Sequence, residues 1–167
     1  MIYASRLRWL VLTFVVVFFD RITKAAIEAK TIEGWRHELI RNFIYLVHSK
    51  NTGIAFSVFA DSANPSMRYL LIGGSLVVVA ILAWYLVAGS AVSARTAVGL
   101  ALLLGGATGN VTDRILHGGV TDFFEIWFGS YRYPAFNVAD SAITIGAVFI
   151  VLDALFPHRP VRKTPGK

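Results

Sequence analysis

The chain has 167 residues, 56% hydrophobic and only 16% charged, with a mean hydropathy of +0.61. A soluble domain carries about a quarter charged residues, so this composition excludes a water-facing globule, a disordered chain and a coiled coil, and it implies an integral membrane protein. The net charge of +6 fits anchoring against anionic lipid rather than nucleic-acid binding, and the absence of cysteine removes disulfide scaffolds, thiolate metal sites and cysteine nucleophiles.

Four apolar segments are predicted as membrane-spanning helices, over about residues 7–28, 69–88, 96–114 and 137–156, each close to the roughly twenty residues a span needs. The first follows Arg6 and Arg8, and it reaches span length only by continuing through Asp20, Thr23 and Lys24. An uncleaved first span puts both termini on one side. The basic residues near the N-terminus and in the tail (residues 157–167, expected to be disordered) favour the cytoplasm for that side. Residues 29–67 form a predicted β-rich cap, with strands near 43–47 and 54–59 and a turn at 51–53. An aromatic interfacial loop, including Phe123, Phe124, Trp127, Phe128, Tyr131 and Tyr133, links the third span to the fourth. Residues 1–156 thus read as one membrane-embedded unit, mainly α-helical.

In such a four-span topology, spans one and three end where spans two and four begin. Asp20, Lys24, Asn51, Asn110, Thr112, Asp113, Arg114, Asp122, Asn137 and Asp140 then gather at one membrane face. Charges at that depth cost a few kcal/mol each, so they pair or do chemistry. Asp20 and Lys24 are spaced i,i+4 with the acid first, as a structural ion pair would be. Asn110, Asp113 and Arg114 share a helix face, and Gly105, Gly106 and Gly109 supply a small-residue packing surface.

Asp122 and Asp140 have no basic neighbour nearby in sequence. Brought together, they would share a proton: one carboxylate activates water while the other protonates a carbonyl oxygen. That chemistry needs no metal and no cofactor. The alternative is two independent caps, Asp122 closing a turn and Asp140 at a helix N-terminus. The histidines lack metal-ligand spacing, and no serine lies in a nucleophile elbow. A proton-coupled transporter would use the same acids as a relay, but the far half of the bilayer holds few polar groups. A non-catalytic anchor protein would not need both Asp122 and Asp140.

The blocks DRITK (20–24), NTGIAFS (51–57), GGATGNVTDR (105–114), VTDF (120–123) and FNVAD (136–140) occur in that order. In them the chain resembles bacterial lipoprotein signal peptidase, the type II signal peptidase. The resemblance implies an aspartyl endopeptidase of the inner membrane with its active site near the outer face. Such an enzyme cuts diacylglyceryl-modified prolipoproteins just before the lipidated cysteine. It further implies Asp122 and Asp140 as the catalytic pair, and Asn51, Gly53, Asn110, Arg114 and Asn137 as substrate-binding or supporting residues. Asp20, Lys24 and Asp113 become structural residues. Membrane lipids and cyclic peptide inhibitors of the globomycin type are the other implied partners.

Overall fold

In a computed structural model, which describes residues 2–53, 65–88 and 93–156, the first three helices run past the ends that hydropathy suggests, while the fourth stops one residue short at each end. The first helix, α1 (Ile2–Lys30), runs past its internal charges. It can do so because Asp20 and Lys24 are fully buried while Val11, Phe14 and Phe18 face outward. The next, α2 (Pro65–Ala88), opens on a proline, whose missing N–H is harmless in a first turn. In α3 (Ala94–His117), Ser93 caps the start by accepting from the Thr96 N–H at 3.1 Å, and Gly118 closes the end at φ +77°, a left-handed conformation suited to glycine. The last, α4 (Val138–Leu155), starts with a reciprocal capping box between Asn137 and Asp140.

α3 is the hub, packing against each of the other three helices and most extensively against α4. Glycines permit that approach. A Cβ at Gly99 would lie 2.7 Å from the Gly146 carbonyl oxygen, and one at Gly146 would lie 2.7 Å from the Gly99 oxygen. Leu86, Leu100, Ala101 and Leu104 make a buried apolar centre between α2 and α3. Residues 68–88 and 138–155 are long and apolar enough to cross a membrane. Their apolar side chains, such as Leu70, Val77, Trp84, Ile145 and Val151, point away from the protein. A surface of that kind needs a hydrocarbon surround rather than water.

The strands correct the expected loops. β1 (Arg36–Ile40), β2 (Ile44–Asn51), β3 (Val120–Phe128) and β4 (Tyr131–Phe136) form one antiparallel sheet in the order β1-β2-β3-β4. The cap is therefore not a separate unit, and the aromatic segment is not a loop but a hairpin turning at Gly129 (φ +63°). Hairpins are marginal alone, and pairing β2 with β3 gives each an additional partner. The expected strand at 43–47 lies mostly in β2, which continues to Asn51 where a turn was expected to begin. Its outer partner β1 was not foreseen, being exposed along its length and polar over its first three residues. The second expected strand, residues 54–59, lies outside the described residues, as does the tail. Buried Glu125 secures the sheet through Arg36 at 3.0 Å and Arg132 at 2.7 Å.

Candidate active site

The β2–β3 register sets Ser49 opposite Asp122 and Asn51 opposite Val120. This brings the end of the cap strand beside the carboxylate. β3 is buried on both faces at its start, and Asp122 is 3% exposed. Neighbouring Thr121 donates its hydroxyl to Glu28 at 2.6 Å, tying the strand to the end of α1. Asp122 accepts from Asn51 Nδ2 at 3.3 Å and from Asn137 Nδ2 at 2.7 Å. Asn137 is fully buried and also joins the second acid. Its Oδ1 accepts the Asp140 backbone N–H at 2.9 Å, and its own backbone N–H donates to Asp140 Oδ2 at 3.3 Å. Asp140 Oδ1 accepts from Asn110 Nδ2 at 2.8 Å.

One asparagine therefore bridges the two carboxyls. Asp122 does not close a turn, whereas Asp140 does belong to a helix cap; the two expectations for Asp140 are compatible. Burial pushes the Asp122 carboxyl up to about 7, the Asp140 charge adds to the rise, and the amide donors of Asn51 and Asn137 oppose it.

Behind this pair lies a charged cluster. Lys24 Nζ is 2.8 Å from Asp20 Oδ2, 2.7 Å from Asp113 Oδ2 and 3.1 Å from Asn110 Oδ1. Arg21 completes it on Asp113. The other oxygen of Asp20 accepts the Ala139 N–H at 2.9 Å, gripping α4 one residue before Asp140. Arg114 donates to the Gly53 carbonyl at 2.9 Å and holds the end of the cap strand. Its Nε is buried without a partner among the described residues.

A cavity of about 520 Å³ opens onto these groups. Asn51, Asn110, Arg114, Asp122 and Asp140 form its polar side; Leu70, Val78, Phe136 and Ile143 are among its apolar walls. The ten residues that the family resemblance singled out thus lie in one connected network. Lys24, Asp20 and Asp113 sit behind the cavity, and Gly53 enters through its backbone. Sequence reading missed Arg21, Glu28 and Thr121. The adjacency of Arg21 to Asp20 was a usable signal; the Glu28–Thr121 bond joins distant segments and had none. Among the described residues no group of three or more histidines and acids is arranged to hold a metal.

The family model for signal peptidase (SPase) II matches residues 12–156. A lipoprotein signal peptidase of Xylella fastidiosa (strain M12) is 38% identical over 98% of this chain and 97% of its own length. One from Vibrio cholerae serotype O1 (strain ATCC 39541 / Classical Ogawa 395 / O395) is 39% identical over 89% of this chain and 87% of its own. A bacterial membrane enzyme solved by the in meso method at 2.3 Å superposes with a TM-score of 0.81 at 26% identity, covering 96% of this chain and 94% of that one. By its sequence, its helices and its sheet, the chain belongs to the signal peptidase II family.

Proposed function

We propose that this protein is an intramembrane aspartyl endopeptidase that removes the signal peptide from diacylglyceryl-modified prolipoproteins, cutting just before the lipidated cysteine. The observation that carries the reading is the Asp122–Asn137–Asp140 unit, facing a cavity with one polar and one apolar side. All four helices cross the bacterial inner membrane in this reading, with both termini cytoplasmic and the cavity near the outer face. The apolar wall from α2 and α4 receives acyl chains, which brings the adjacent peptide bond level with the acids.

The pair keeps about one proton near neutral pH, because two close carboxyls resist joint ionisation. Asp122, whose protonated form is favoured by burial, donates to the carbonyl oxygen. Asp140 takes a proton from the attacking water. The tetrahedral intermediate collapses with cleavage of its C–N bond as Asp140 passes that proton to the leaving amine and Asp122 recovers its own from the intermediate's hydroxyl. Asn51 and Asn137 hold Asp122, and Asn110 holds Asp140. The buried Arg114 Nε–H, without a partner among the described residues, would hydrogen-bond the substrate backbone. A globomycin-type cyclic peptide would occupy the same cavity.

The test is cleavage of a lipid-modified prolipoprotein, followed by gel shift, with wild-type protein and folded Asp122→Asn and Asp140→Asn variants. Each variant is expected to lose at least ~10³-fold in rate, within the range for removing a general acid or base. Cleavage at near wild-type rates by either folded variant rejects the dyad. A folded wild type that never cleaves rejects the peptidase assignment.

A further inference from the structure

Lys24 is fully buried; it donates hydrogen bonds to Asp20 Oδ2 and Asn110 Oδ1 and pairs by charge with Asp113 Oδ2 at 2.7 Å. Two of these partners are carboxylates, as a buried cation requires. The third is a neutral amide, and it points toward the cavity. An ammonium only donates, so the Asn110 atom it touches must be the oxygen. Asn137 Nδ2 approaches the same atom at 3.4 Å and agrees with that orientation. With its oxygen fixed, Asn110 can present only Nδ2 to Asp140, at 2.8 Å.

The other two amides of the site are oriented by backbone. Asn51 Oδ1 accepts the Gly53 N–H, and Asn137 Oδ1 accepts the Asp140 N–H. Of these three amides, only Asn110 has its oxygen held by a cation among the described residues. Without Lys24 the amide could rotate by half a turn and set its oxygen against the Asp140 carboxylate, a repulsive contact. The charge cluster also reaches Asp140 along a second path, through Asp20 and the Ala139 N–H.

On the aspartyl peptidase reading above, we propose that Lys24 is a positioning residue for peptide hydrolysis: by holding the Asn110 carbonyl oxygen it turns the Asn110 N–H onto Asp140 and fixes that carboxylate toward the attacking water. Lys24 touches no substrate. Its effect therefore belongs in kcat per folded enzyme and not in KM.

Lys24→Met alone would strand the buried Asp20, so the test uses the charge-balanced Asp20→Asn/Lys24→Met pair, which leaves Asp113 with Arg21. Asp113→Asn is the control: it disturbs the same cluster but keeps Lys24 on Asn110. Each protein is purified in detergent, its folded fraction is measured by thermal melting, and kcat and KM are determined on the lipid-modified prolipoprotein. The double variant is expected to lose ~100-fold in kcat with KM within ~3-fold, and the control to stay within ~5-fold in kcat. A folded double variant with wild-type kcat overturns the inference, as does a control that falls equally far. If the double variant does not fold, Asn110→Asp decides. It keeps an oxygen for Lys24 but cannot donate to Asp140, and it is expected to lose ~100-fold in kcat at similar KM. Wild-type kcat in that variant also overturns the inference. A wild type that cleaves while these variants match it leaves the peptidase reading standing; a silent wild type removes the reading itself.

Discussion

Asp122 carries a burial penalty that grows with pH. Its carboxyl titrates near 7 in the fold against an ordinary value of 3.8, first because it is buried and second because Asp140 is close. A raised value means the folded state holds its proton longer than the unfolded chain. Stability from this group is therefore complete below 3.8 and is lost as pH rises through about 7. Asp122→Asn removes the penalty. The stability of this variant relative to wild type, followed by melting in detergent, is expected to improve by on the order of 2 kcal/mol between about pH 5 and about pH 8.5. The cleavage rate of wild type should fall over the same window above about pH 7, as the pair loses its shared proton. A pH-independent difference in melting would mean that Asp122 is not penalised by burial.

At the scale of elements, the proposed catalysis would depend on how closely α3 and α4 approach, because they carry Asn110 and Asp140. A Cβ at Gly99 would meet both the Gly146 carbonyl oxygen, which is backbone and cannot swing away, and the Ile150 side chain, each at 2.7 Å. Gly99→Ala is expected to cost ~1–3 kcal/mol, as overpacking does, and to lower the cleavage rate by shifting Asn110 from Asp140. A methyl group added at Gly73 on α2 would have no neighbour within 4 Å. Gly73→Ala should be neutral or stabilising by up to ~1 kcal/mol, through helix propensity alone. Melting temperature and rate measured on both variants separate packing from propensity; equal effects would exclude the close α3–α4 contact as the cause.

At the scale of the molecule, the polar network sits at one end of the helices. The opposite end holds Asp153, which accepts from Ser93 at 2.6 Å and from Thr96 at 2.7 Å and ties α3 to α4. A proton path through the bilayer would need carboxylates between these ends. The sheet turns at 41–43 and 129–130 stand at the catalytic end, and the proposed orientation is open to direct test. The chain lacks cysteine, so single cysteines can be introduced without a background. Arg41→Cys and Ser130→Cys are expected to react with a membrane-impermeant maleimide in spheroplasts, and Lys163→Cys only after lysis. The reverse pattern would invert the topology.

The number of helices and the identity of the polar cluster were legible because lipid removes the usual ambiguity. In hydrocarbon every backbone group must bond within its own helix, so a long apolar run has one outcome, and each charge within it must find a partner. The Asp20–Lys24 pair followed from helix period alone. Helix ends were misjudged where hydropathy stopped at a charge, since Pro65, Ser93 and Gly118 set the boundaries. Sequence alone thus determined a membrane protein with four helices, one polar end and two acids in search of each other. Only the tertiary structure decided that cap and aromatic segment share one sheet, that Asn137 links the acids, and that Lys24 reaches Asn110. Strand pairing across intervening helices and hydrogen bonds between distant side chains have no local period, so no reading along the chain contains them.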